Sequence, residues 1–178
     1  KFNADSQFMF AYIGYESVCT ETEVIKGFFD SSSIVDTSAI IYARAMFAHT
    51  GMNGSMQKLV IGPKFTTTSI INVQDMFYQC GYTNMTTLTL SSNFKMQSAD
   101  SFVSMFYQCG YNKLTSLDLS NMTAASATTM EHMFNGCGNK SMTSLKIGFN
   151  TSKVTNMHAM FANCGKEKLA TFSIGSNF

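Results

Sequence analysis

Five cysteines and three histidines are the side chains in this sequence best able to do chemistry. Four of the cysteines (Cys80, Cys109, Cys137 and Cys164) occupy one position of a recurring phrase, Met-Phe-x-x-Cys-Gly, and Cys19 stands apart. The phrase occupies residues 76–81, 105–110, 133–138 and 160–165. Two weaker copies, 9–14 and 46–51, put Ile13 and Thr50 at the Cys position. A slot that accepts Ile or Thr calls for a small buried side chain, which is ordinary behaviour for free Cys. Zinc would need converging ligands such as paired Cys-x-x-Cys, and the sequence has none. The cysteines therefore read as a core ladder, with no metal and no cofactor expected.

The histidines do not share a repeat position. Relative to the repeat Met, His49 lies at +3, His132 at −1 and His158 at −2. No acid or nucleophile is predicted beside any of them, so they read as surface or loop residues rather than general bases. Phosphate-cradling glycine loops and paired carboxylates are absent as well. The expectation is a protein that is not an enzyme.

The elements that carry the phrase come from its spacing. Successive repeat Met residues are 37, 30, 29, 28 and 27 apart, the signature of a stacked-repeat protein. In the first half of each repeat the apolar residues follow a helical period: Val154, Met157, Met160, Phe161 and Cys164 fall at i, i+3, i+6, i+7 and i+10. This predicts a helix closed by the glycine in a left-handed conformation. Thr68, Ser69, Ser98, Ser126, Thr151 and Ser152 are its candidate N-caps. The second half reads as a strand, with alternating triads such as Met85/Leu88/Leu90 and Leu114/Leu117/Leu119. One strand and one helix cannot bury their apolar faces alone, so the units must stack. Helices spaced by roughly 8–10 Å against strands spaced by about 4.8 Å would curve the stack. The expectation is an α/β solenoid of about six strand–helix repeats with a parallel sheet on the concave side. Residues 1–178 form one domain, with 1–34 an irregular repeat or cap holding a weak strand at 24–29, and 35–178 regular repeats of 27–30 residues.

Composition narrows the partners. Only 13% of residues are charged and the net charge is +1, which leaves no basic excess to hold nucleic acid. No apolar run approaches the roughly 18–20 residues of a membrane span, so membrane insertion is not expected. Ser, Thr and Asn supply the missing polarity, which suits an extracellular or self-associating protein. The sequence opens at Lys1 without an initiator Met, as expected of a processed chain or a piece of a longer one.

The segment 151–164 (TSKVTNMHAMFANC), together with 114–121 (LTSLDLSN), resembles the BspA-like leucine-rich-repeat surface proteins. It is most similar to their Mycoplasma-lipoprotein-type relatives, and the likeness covers roughly residues 35–178. The Gly-to-strand loop here is longer than in that pattern. The resemblance implies a leucine-rich-repeat-like fold, exposure on a cell surface or secretion, and adhesion or binding. It supplies no catalytic residues.

Three sets of residues are candidates for function. Solvent columns of the predicted sheet contain Lys58, Thr87, Ser116, Ser144 and Thr171, flanked by Thr89, Asp118, Lys146 and Ser173. They form a face for a glycan or a protein. Sequons at Asn53, Asn84, Asn121, Asn139 and Asn150 are candidates for N-glycosylation, and three of them share the loop after the glycine. Apolar residues of the two ends (Phe2, Met9, Phe10, Phe172, Ile174 and Phe178) are candidates for head-to-tail contact between copies. Residues 1–36 hold six acids and two bases, net −4, whereas 113–178 hold six bases and three acids, net +3. Opposite-sign ends favour a heterologous contact, and one that does not close makes a filament. The leading expectation is a structural or adhesive protein that assembles head to tail. The alternative is a monomeric recognition module that uses its sheet face.

Overall fold

The computed structural model describes residues 2–16 and 36–178. The predicted strand at 24–29, Cys19 and most of the irregular first repeat lie outside the described residues. Five four-residue strands are present: β1 (Lys58–Ile61), β2 (Thr87–Leu90), β3 (Ser116–Leu119), β4 (Ser144–Ile147) and β5 (Thr171–Ile174). Each falls where alternating apolar residues place it. All neighbours pair in parallel, Lys58 opposite Thr87, Ser116 opposite Ser144, and Ser144 opposite Thr171. The ladder is divided into β1–β2 and β3–β4–β5, and about four turns of solenoid separate β1 from β5. A second parallel column runs through single bridges, Asp5 to Tyr42, Asn72, Ser101, Thr129 and Asn156. The fold is a parallel-strand β-solenoid.

The predicted helices are not there: among the described residues the structure has no helix, and the Met-Phe-x-x-Cys-Gly segments are chains of turns. Backbone hydrogen bonds account for the difference. In the Met76 segment, the N–H groups of Met76, Tyr78 and Cys80 close tight turns onto the carbonyls of Val73, Asp75 and Phe77. The intervening N–H groups of Asp75, Phe77 and Gln79 instead donate to Val103, Met105 and Tyr107 of the next coil. Every second donor thus leaves the segment, whereas a helix would keep them all. Asp75 and Gln79 reach these partners at φ 58° and 51°, a region that costs a non-glycine residue about 1–2 kcal/mol. The same two positions are left-handed in every described copy, for example Ser104 and Gln108, or His132 and Gly136.

The turn segments stack as closely as the strands do. Phe10, Phe47, Phe77, Phe106, Phe134 and Phe161 form one column of nearly parallel rings with centroids 5.2–5.5 Å apart. Helices could not pack at that spacing. The wedge expected to place the sheet on a concave side is therefore missing, and both sides of the solenoid advance by similar steps.

In the inner coils the core matches the predicted apolar positions even though the backbone does not, whereas in the last coil Met157 is exposed and Val154, Phe161 and Cys164 are partly buried. Met76, Phe77, Cys80, Met85, Phe94 and their counterparts at 105, 106, 109, 114 and 122 are buried. Thr50 fits the Cys slot because its hydroxyl donates to the Phe10 carbonyl at 2.8 Å. The glycine that ends each phrase does two things at once. Gly110 has φ 54°, and an added Cβ would lie 2.3 Å from Leu114 Cβ. The tight approach arises because the Leu114 N–H folds back onto the Gly110 carbonyl.

Among the predicted N-cap residues, Ser98 serves the stack instead, as do hydroxyls elsewhere in the coils. Ser98 donates to the Thr68 carbonyl at 2.7 Å. Likewise Thr83 donates to Met52, Thr128 to Asp100 and Thr155 to Thr128, each across one coil. This explains a use for the high Ser and Thr content: hydroxyls satisfy carbonyls along the solenoid axis.

Candidate functional site

Sheet pairing brings the predicted solvent columns into register. Ser116, Ser144 and Thr171 stand side by side, as do Asp118, Lys146 and Ser173, and Lys58 and Val60 face Thr87 and Thr89. Apart from Lys58 and Lys146 the side chains here are short, and most are exposed, with Lys58, Val60 and Ser144 half-buried. Asp118 accepts from the Ser120 hydroxyl at 2.6 Å and from its N–H at 3.0 Å. These bonds, with a lesser contribution from Lys146, hold its carboxyl below the usual carboxylate range. Lys146 lies 3.5 Å away, so one cation–anion pair crosses β3 and β4. The face is a flat polar array of side chains in register.

The ends of the stack are different in kind. β5 is the outer edge of its sheet, and all four of its residues are exposed. Phe172 and Ile174, which sit in register with buried Leu145 and Ile147 of β4, are each 49% exposed. Among the described residues no strand pairs with the outer side of β5, and an exposed parallel edge with an apolar side can pair with another strand. At the opposite end Phe8, Met9, Tyr12 and Ile13 are exposed as well. Of the six residues predicted for head-to-tail contact, Met9, Phe172 and Ile174 fit that placement. Phe10 does not: it is buried in the ring column beneath Phe47. Phe2 packs edge-on against Phe10, and Phe178 against Phe149 and Phe161, so both are partly buried against the core.

The sequons divide. Asn53, Asn121 and Asn150 are exposed. Asn84 is half-buried and donates to the Gly54 carbonyl at 2.9 Å. Asn139 is 5% exposed, and its amide donates to the Asn163 carbonyl at 3.0 Å, so the folded chain withholds it from modification.

Three of the four thiols in the cysteine slot lie in the core, and Cys164 is half-buried. Cys80, Cys109 and Cys137 are free and buried. The adjoining Cys80 thiol, and then burial, push the Cys109 thiol up, and Cys164 does the same to Cys137. Thiols held protonated in this way are poor nucleophiles and poor metal ligands.

Two groups of residues escaped the sequence reading. Phe8, Tyr12, His49, Asp75 and Tyr78 line an open hollow of about 210 Å³, with the His49 ring stacked on Tyr12 at 4.6 Å. Burial holds His49 below the ordinary histidine range, partly offset by the charge of Asp75. The second group corrects the expectation that no acid stands beside a histidine: Glu131 lies 3.7 Å from His132 and 3.8 Å from His158. Glu131 and His158 both sit two residues before a repeat Met, so aligning neighbouring repeats would have paired them.

The family model described as Mycoplasma protein of unknown function, DUF285, matches residues 42–172. No curated protein and no solved structure matches the chain.

Proposed function

We propose that this chain, which belongs to the family of Mycoplasma proteins of unknown function, DUF285, is a non-enzymatic, extracellular or cell-surface protein. In this reading it has a structural or adhesive role, of the kind its resemblance to the BspA-like repeat proteins implies, and it assembles end to end with further copies of itself. The observation that carries this reading is β5, an outer strand edge whose Phe172 and Ile174 are half exposed. Apolar Phe8, Met9 and Ile13 at the other end of the stack and the opposite net charges of the two end segments support a heterologous contact. Electron microscopy of the concentrated protein tests it. Chains of end-joined particles are expected, and isolated particles under all conditions would count against the reading.

A second reading is favoured by the registered polar columns. Here a single solenoid binds a glycan or a protein through Thr87, Thr89, Ser116, Asp118, Lys146 and Thr171. Thr87→Trp and Ser116→Trp should then abolish binding in a glycan or protein screen while the fold is retained. Unchanged binding would reject it.

A further inference from the structure

We propose that Glu131, His132 and His158 form a binding site for a divalent transition-metal ion, shared between the coils of Met133 and Met160. Their ligand atoms all lie within 4.8 Å of one another. Glu131 Oε1 faces both rings, at 3.7 Å from His132 Nε2 and 3.8 Å from His158 Nδ1. A tetrahedral zinc site, with bonds of about 2.0–2.2 Å, needs ligand atoms about 3.3–3.5 Å apart, so Glu131 Oε1 is already within about 0.5 Å of that distance from each imidazole, and the two rings close from a separation within 4.8 Å.

The backbone builds this convergence. His132 donates its N–H to the His158 carbonyl at 2.9 Å, which locks the two coils together at this point. With φ 54°, His132 turns within one residue of Glu131, and the two side chains project over the same stretch of the neighbouring coil. The rings of His132 and His158 meet edge to face with centroids 5.2 Å apart.

Surrounding amides steady two of the three donors. Asn156 Nδ2 donates to Glu131 Oε2 at 3.0 Å, leaving Oε1 to the histidines. The Asn135 side-chain amide sits 3.0 Å from His132 Nδ1. Turning that amide by 180° lets its oxygen accept the Nδ1 proton, which leaves the Nε2 lone pair for the ion. Such outer partners are what fix the tautomer and aim of a metal-bound imidazole.

Donor chemistry selects the ion. Two imidazoles and one carboxylate suit Zn²⁺, Cu²⁺ or Ni²⁺, and they disfavour Mg²⁺, which prefers oxygen ligands. His158 is 72% exposed in its side chain, so water completes the coordination. An ion held by residues of both coils would also raise the temperature at which they separate.

Calorimetric titration of the metal-stripped protein with Zn²⁺ tests the assignment, with Mg²⁺ as the control ion. One equivalent of Zn²⁺ should bind, Mg²⁺ should not, and the thermal midpoint should rise with Zn²⁺. The His132→Ala, His158→Ala double variant should lose about a hundredfold in affinity or more, and Glu131→Gln about tenfold or more. His158→Asn alone, at an exposed position, should lose at least about tenfold without a folding defect. His49→Ala should bind as the parent does. No saturable Zn²⁺ binding by the parent, or undiminished binding by the double variant with its thiols intact, would overturn the proposal.

Discussion

Phe77 and Phe106 stack with ring centroids 5.3 Å apart and planes 3° from parallel, although they are 29 residues apart in the chain. That contact repeats along the column and sets the step from coil to coil. Phe106 is fully buried and has ring neighbours on both sides. Phe106→Ala should therefore cost about 3–5 kcal/mol in urea unfolding, through lost burial and the cavity left between coils. Thr87→Ala, on the exposed sheet face, should change stability by less than about 0.5 kcal/mol. Equal effects would mean that the column is not the core.

Gly110→Ala should destabilise by more than about 1 kcal/mol, since it adds a left-handed alanine to a Cβ approach of 2.3 Å against Leu114. Ser104→Ala, at a position already left-handed with a side chain in place, should be close to neutral. Urea midpoints for the two variants make the comparison. A neutral Gly110→Ala would contradict the tight turn at the end of the phrase.

The pH dependence of stability should carry a His49 contribution. Burial lowers its folded pKa below the unfolded value, with Asp75 opposing. The folded state therefore binds this proton less readily than the unfolded state does. The contribution is fully present above about pH 6.5 and is lost as pH falls below it. In denaturant titrations at about pH 7 and pH 5, His49→Gln should show a smaller acid-side loss than the parent. An identical or larger loss would contradict the placement of His49 against Tyr12.

Thiol labelling should follow depth. Cys164 is half-buried, whereas Cys80, Cys109 and Cys137 are buried, and the neighbouring thiols of Cys109 and Cys137 favour the protonated form of those two. Mass spectrometry after brief alkylation of the native protein should find Cys164 modified ahead of the other three. Prior modification of Cys109 would contradict the ladder.

The sequence made the phase of the repeat, the inward columns and the strand register legible, because each depends only on where apolar residues recur. Val73, Met76, Phe77 and Cys80 are buried as their spacing demands. The same spacing is shared by a helix and by a chain of tight turns, so periodicity could not separate them. What decides between them is where the N–H groups of residues such as Asp75 and Gln79 go, and they go to the next coil. The positions with positive φ carry Asp, Gln, Ser, His and Asn as well as Gly, which hides the signal that a glycine pattern would have given. The Glu131–His158 pair was missed for the same reason: coils spaced as helices would have held the two apart, whereas coils spaced like strands set them side by side. Phe172 and Ile174 are exposed although their place in the repeat is a buried one in Leu145 and Ile147, because no further strand covers β5 among the described residues, whereas Phe10 is buried because its ring continues the interior column.

Sedimentation of the purified chain over a wide concentration range, beside an Ile174→Lys variant, tests end-to-end assembly most directly. The parent's average mass should climb with concentration without settling at a dimer. Ile174→Lys, with a charge on the open edge of β5, should stay monomeric throughout. A parent that sediments as a single monomeric species at every concentration would rule out end-to-end assembly.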